Sequence, residues 1–313
     1  MIAEVVAGLV LTDGGRYLDA TFGGGGHTRA LLEQCGPQGQ VLGMDRDPSA
    51  IAHGRSMAGR YAGRLHLYQG PFAQLAKALE QCGWDDIQGA LFDLGVSSQQ
   101  LDTAQRGFSF RADGPLDMRM DQGMETRITA ADMVNQMDVW ELTKLFFSLG
   151  EEPRAKRAAH AIVQARSRER LTSTRQLAAL LEACLPPPRP GLHPATRIFQ
   201  ALRMAVNQEL EQLESGLKKA MDYLATGGRI AVISFHSLED RVVKRIFKDA
   251  ALPPRVQGPM GLLPQPEPKT PPFRLVVRKP LTPSREEIGS NPRARSAKLR
   301  IIERAHSSSS RGL

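Results

Sequence analysis

The sequence predicts an α/β fold: a mostly parallel, seven-stranded sheet flanked by helices and interrupted by an inserted helical domain. Three observations predict it. Over residues 1 to about 100, short apolar runs alternate with helical patterns, which is how a parallel sheet with helices on both faces reads. Four consecutive glycines, Gly23 to Gly26, join the first such run to a helix-forming stretch. Between about 112 and 193 the alternation gives way to helical spacing without strands, and it resumes afterwards.

The elements follow in order. Strands are expected at 16–20, 41–45, 65–69 and 88–93, with helices around 28–35, 48–57 and 72–82 between them. In the inserted block, 112–193, Met133, Met137, Leu142, Leu145 and Phe146 mark a helical face within 129–149. Ser173-Thr174-Arg175-Gln176 has the form of a capping box, and Pro186-Pro187-Pro188 ends the helix it opens. The sheet domain returns at 194. An apolar stripe from Ile198 through Val206 and Leu213 to Leu224 predicts one long helix, closed by Gly227-Gly228. A fifth strand follows at 229–234, and two late strands, 273–278 and 297–303, are expected to pair antiparallel at the sheet edge. The proline-crowded stretch 253–272 reads as a mobile loop and 306–313 as a frayed tail. The domain boundaries are therefore 1–111, 112–193 and 194–305.

Composition narrows the class. A chain of 313 residues with 41% hydrophobic content can bury a substantial core. Lysine and arginine number 41 against 33 acids, a net charge of +8 that fits a polyanionic partner such as RNA or DNA, or a merely basic enzyme. Cys35, Cys82 and Cys184 have no paired spacing, so neither a metal site nor a disulfide framework is expected, and a reducing cytoplasm suits them. No apolar run approaches the roughly 20 residues of a membrane span, and the amino terminus has no signal-peptide pattern.

The glycine run brings bare backbone to a ligand at a strand end. Asp45 closes the next strand 20 residues beyond Gly25, the spacing at which an acid reaches ribose hydroxyls. The loop matches neither phosphate-binding pattern. A dinucleotide fingerprint needs a third glycine where Thr28 or Arg29 stands, and a P-loop needs a lysine where the chain has His27-Thr28. An adenosine cofactor without phosphates fits better, and S-adenosylmethionine is the common one. Gly70-Pro71-Phe72 and Asp93 fall at further strand ends on the same edge.

Methyl transfer is an in-line displacement that needs the acceptor aimed and water excluded. For an exocyclic amine, whose lone pair is delocalised into the ring, Asp93 would accept the N–H and help localise that pair; contact with the cofactor, or a loop cap, is the competing role for Asp93. No Pro-Cys pair exists for attack at a pyrimidine carbon. The only string like the Pro-Pro signature of DNA amino-methylases, Thr270-Pro271-Pro272-Phe273, lies in the proline-rich segment. After the fifth strand, Ser237 and Asp240 are placed to cap a helix over 238–248, while Phe235 can stack on a base and His236 can contact base or phosphate; cap alone and cap plus substrate contact both stand. Basic residues cluster twice: Arg154, Lys156, Arg157, Arg166, Arg168 and Arg170 in the insert, and Arg293, Arg295, Lys298 and Arg300 near the end. Either cluster suits phosphate contacts, or a solvated face.

Together, Asp19 to His27, Asp45-Arg46-Asp47-Pro48, Asp93 to Ser98, Arg106 to Phe110, Asp113 to Met120, His193 to Arg197, Ser234 to Arg241 and Asn291 to Ser296 resemble the bacterial 16S rRNA cytosine-N4 methyltransferase family, RsmH or MraW. The resemblance spans nearly the whole chain. It implies a Rossmann-like class I methyltransferase domain with a helical insertion, and S-adenosylmethionine as donor. It implies a cytidine of the decoding region as acceptor, with 16S rRNA as partner within the small ribosomal subunit. By motif match, cofactor contacts fall on Gly25, Gly26, His27, Asp45, Phe72, Asp93 and Gln100. Phe72 is then expected against adenine and Asp45 on the ribose hydroxyls. A catalytic role is assigned to Asp93 and, more remotely, His236; RNA contacts fall on Phe235, Arg293 and Arg295. Two departures accompany the match. The family's usual opening segment, with a His and a Val-Leu pair ahead of the residues matching Glu4-Val5-Val6, is not in this sequence, as a truncated start or a misassigned first codon would give. Gln99 stands where the family has proline, leaving the loop that holds Gln100 less rigid. The rival functions are a DNA amino-methylase, a nicotinamide-dependent oxidoreductase, and an RNA-binding protein of this fold that has lost activity.

Overall fold

The computed structural model describes residues 1–124, 128–188, 191–252 and 271–306. The expected loop at 253–272 falls almost entirely outside them, as does the tail beyond His306. Seven strands form one sheet: β1 (Arg16–Asp19), β2 (Gln40–Asp45), β3 (Leu65–Gln69), β4 (Ile87–Asp93), β5 (Leu224–Ser234), β6 (Phe273–Leu275) and β7 (Lys298–Arg304), in the order β3-β2-β1-β4-β5-β7-β6. The first five pair parallel; β7 is antiparallel to both its neighbours, β5 and β6. The late strands therefore pair as expected, but β7 lies inside the sheet and β6 alone forms the edge on that side, β3 being the other.

The helices in chain order are α1 (Ile2–Leu9), α2 (Gly26–Gln34), α3 (Pro48–Ala58), α4 (Leu75–Gln81), α5 (Ser98–Asp102), α6 (Ala130–Gln136), α7 (Val139–Gly150), α8 (Ala155–Arg166), α9 (Thr174–Cys184), α10 (Thr196–Asn207), α11 (Glu209–Tyr223), α12 (Ser237–Ala250) and α13 (Arg285–Ser290).

Two compact units emerge. One comprises 1–95 with 211–313 and holds the sheet; the other is 96–210 and is helical, wider at both ends than the expected 112–193. In the sheet unit, side chains alternate across the strands as a pleat requires. Leu18, Leu42, Phe92 and Ile230 enter one core, Tyr17, Val41, Leu91 and Ala231 the other. Both sheet faces are thus buried, which is why these strands read as unbroken apolar runs. The helical unit has its own core, with Phe146, Ile162, Leu181 and Leu202 fully buried. Its capping box at Ser173 forms as read, Ser173 Oγ accepting from the Gln176 amide and Gln176 Oε1 from the Ser173 amide.

Two expectations are corrected. The single helix from 194 to 224 is two, because Gln208 adopts a left-handed conformation (φ 50°) between α10 and α11. An apolar stripe continues across such a break, so periodicity does not reveal it. Leu224 opens β5, and Gly227 (φ 79°) sits within that strand's irregular start, where pairing with β4 shifts register. The glycines therefore bend a strand and do not close a helix.

Candidate active site

Asp19, Asp45 and Asp93 are the last residues of β1, β2 and β4. This puts three carboxylates at the carboxyl edge of one parallel sheet, where α/β folds bind ligands. Asp19 is fully buried and organises the loop that follows. Its Oδ2 accepts from the Thr28 hydroxyl at 2.6 Å and its Oδ1 from the Thr21 amide at 3.2 Å. The Thr21 hydroxyl in turn accepts from the Asp93 amide at 2.7 Å, tying β1 to β4 at their ends. In the sequence Asp19, Thr21 and Thr28 stand only as letters of a motif. Their one signal there is the acid-x-Thr spacing at a strand end.

The glycine loop is shaped by the same acids. Asp45 Oδ2 accepts from the Gly23 amide at 2.7 Å and Oδ1 from the Asp47 amide at 2.9 Å. Asp45 is therefore first a loop organiser, with a second lone pair left on each oxygen for a ligand. Burial pushes its carboxyl up to about 6. Gly25 is left-handed (φ 73°), and a Cβ there would lie 2.9 Å from Phe22 Cζ. At Gly24 and Gly26 a Cβ would meet no atom within 4 Å, so the backbone there is open to approach. Phe72, after β3, is held edge-on by Phe92 with ring centroids 5.4 Å apart, and remains partly exposed.

His27, the second residue of α2, brings Nδ1 to 3.4 Å from Asp93 Oδ2. Burial pushes the Asp93 carboxyl up to about 6, against the pull of His27, with Asp19 adding to the rise. Asp93 Oδ1 and His27 Nε2 are both buried without a hydrogen-bond partner. Such orphaned atoms are costly unless a ligand satisfies them.

The end of β5 adjoins this group, the Leu94 amide donating to the Ile233 carbonyl at 2.9 Å. The Phe235 ring lies over Gly95, whose added Cβ would sit 3.7 Å from its Cδ2; Gly95 is at φ 100°. The cap of α12 differs from expectation. His236, not Ser237, is the N-cap, and its imidazole accepts from the Glu239 amide at 3.4 Å. His236 has the extended backbone an N-cap needs, and Ser237 is already helical. Glu239, buried and not a candidate by sequence, accepts from the Phe235 amide at 2.9 Å and fixes this turn. His236 Nε2 lies 3.0 Å from Glu239 Oε1 without the alignment of a hydrogen bond, and is a third buried nitrogen or oxygen left without one.

Gln100, Arg293 and Arg295 are the remaining candidates. Gln100 belongs to the helical unit, where its Oε1 accepts from the Ser97 amide at 3.0 Å in a capping box. Arg293 and Arg295 are exposed in a short turn before β7. Lys298 and Arg300, grouped with them by sequence, are instead bound to Asp240 at 3.1 and 2.7 Å.

These residues fit S-adenosylmethionine. Three strand-end carboxylates suit a cationic nucleoside with ribose hydroxyls and disfavour phosphates. An open glycine backbone, a half-exposed aromatic ring and orphaned acceptors complete what such a ligand requires.

A model described as the MraW methylase family matches residues 1–305. The chain is 52% identical over 305 residues to ribosomal RNA small subunit methyltransferase H of Magnetococcus marinus, covering 97% of each chain. It is 47% identical to the enzyme of that name from Granulibacter bethesdensis, covering 97% of this chain and 90% of the relative. Among solved structures, a putative rRNA-methylase from Clostridium thermocellum aligns with 95% of this chain and 90% of its own, at 14% identity and a TM-score of 0.43.

Proposed function

The chain belongs to the MraW methylase family, and from that premise we propose that it methylates the exocyclic N4 amine of a cytidine in the decoding region of 16S rRNA. It is a methyltransferase, and S-adenosylmethionine is its methyl donor. Bound there, that cofactor supplies an electrophilic methyl group on a positively charged sulfur.

The observation that carries the reading is Asp93. Its buried, unpartnered Oδ1 stands at the end of β4, with the other oxygen 3.4 Å from His27. As a carboxylate it accepts an N–H of the cytosine amine, which draws the nitrogen lone pair out of conjugation and toward the incoming methyl. It is also the nearest base for the proton the nitrogen must shed. His27 holds that carboxylate in place and, when protonated, favours its charged form. Asp45 and the turn at Gly25 and Gly26, its backbone open at Gly26, bind the adenosyl group, with Phe72 against the adenine. Phe235, lying over Gly95, offers a face on which the base stacks, and His236 Nε2 offers it a polar contact. Arg293 and Arg295 offer phosphate contacts.

The test is transfer of labelled methyl groups to small-subunit rRNA from cells lacking the enzyme, followed by nucleoside analysis. Label in N4-methylcytidine is the expected result. Label confined to another nucleoside, or none, overturns the proposal.

A further inference from the structure

We propose that a groove on the helical unit, walled by Arg154 and Arg157, takes the phosphate backbone of the RNA substrate. The proposal rests on the reading of RNA as substrate and adds a surface to it.

The six basic residues that cluster in the sequence are not equivalent in the fold. Arg166 is consumed internally, its Nη1 donating to the Val134 and Met137 carbonyls at 2.7 and 2.6 Å. Arg170 lies 3.4 Å from Asp132. Arg154, Lys156, Arg157 and Arg168 are all exposed, and their side chains form no ion pair or hydrogen bond among the described residues. Elsewhere in this unit arginines are engaged: Arg119 with Asp117 at 2.7 Å, Arg203 with Glu209 at 2.8 Å and Arg197 with Glu152 at 3.7 Å. Arg154, Lys156 and Arg157, close together at the start of α8, are thus left without an acid to neutralise them.

That set has a shape. Arg154 and Arg157 are one helical turn apart at the start of α8 and so share a face. Facing them are Ala183, Cys184, Leu185 and Pro186 at the end of α9, and the open groove between has a volume of about 370 Å³. The far wall carries no charged side chain. Of the nearby acids, Glu152 pairs with Arg197 and Glu151 has a partner of its own, while Glu182 points to His193 at 3.8 Å. Two unpaired guanidiniums over a neutral wall match a polyanion that presents phosphates in succession. An arginine fork binds each phosphate bidentately without reading sequence.

The experiment is a salt titration of binding between the full-length chain and a small-subunit rRNA transcript. It compares wild type with the double variant Arg154→Glu, Arg157→Glu. Because the variant can no longer neutralise two phosphates, the slope of log K against log salt should fall by about 1.4 to 1.8. Affinity at low salt should drop at least tenfold, while the far-UV circular dichroism spectrum and the melting temperature stay at their wild-type values and show the fold intact. Arg170→Gln, which removes a cation already beside an acid, should leave the slope unchanged. A wild-type slope in the double variant overturns the inference, even if methyl transfer proceeds. A reduced slope together with no methyl transfer by wild type would sink the proposed function and leave this surface standing.

Discussion

Asp93 concentrates the chemistry at the residue scale. Its carboxyl is raised by burial from 3.8 to about 6, so it charges only as the pH passes that value. The raised value also means that the folded state holds this proton more tightly than the unfolded one. Stability from this group is full below 3.8 and is lost as the pH rises through about 6. Activity runs the other way, because only the carboxylate accepts the amine proton. Single-turnover rates should therefore fall as the pH is lowered through about 6, and Asp93→Asn should turn over at least 100-fold more slowly without that limb. A variant with near-normal rates would remove Asp93 from the chemistry. The glycines separate structural from ligand roles in the same way. Gly25→Ala forces a side chain into a left-handed backbone and against Phe22, so its melting temperature should fall by several degrees. Gly26→Ala meets no atom within 4 Å at a helix start, so melting of the free protein should not change. Equal melting temperatures for the two variants would contradict this division. Asp45, Asp93 and the glycine run are legible in the sequence because their residue types are unusual at strand ends. Glu239 is not, since its significance lies in burial beside His236, which no spacing shows.

At the scale of elements, the sequence conveys which segments are strands and helices better than where they bend. Strands 65–69 and 88–93 are legible almost to the residue, the second because a strand buried on both faces is a near-continuous apolar run, the first because its apolar residues stand between turn-forming glycines at 63 and 70. The break at Gln208 and the bent start of β5 are not, because both depend on the sign of φ and leave the apolar pattern intact. Nor is α1; eight residues give too few turns for a period to stand out. The joint between α12 and β7 is an example of tertiary use of charges that look like an RNA patch in sequence. Asp240 holds both Lys298 and Arg300, and despite its burial they keep its carboxyl below the ordinary range. Asp240→Ala should lower unfolding stability by about 2 kcal/mol, read as a reduced urea midpoint with an unchanged slope. An unaltered midpoint would show that the two cations do not bind α12 to the sheet.

For the whole molecule, the order β3-β2-β1-β4-β5-β7-β6 is not readable from the sequence as such, though its mostly parallel character is. Alternating strands and helices restrict the crossovers but leave the placement of late strands open, and β7 enters the sheet between β5 and β6. The helical unit is recognisable as the place where alternation stops, and the compact unit of the structure, 96–210, begins before and ends after the helical spacing seen in the sequence. The net charge of +8 is likewise an average: part of it is spent on internal pairs, and only the structure tells the free cations from the bound ones. The central claim is that the edge formed by the glycine loop, Asp45 and Asp93 is a cofactor site. Calorimetric titration of the purified chain with S-adenosylhomocysteine, alongside Gly26→Ala, tests it most directly. One site per chain is expected in the wild type and at least tenfold weaker binding in the variant; no binding by the wild type, or equal binding by both, would mean that this edge is not the cofactor site.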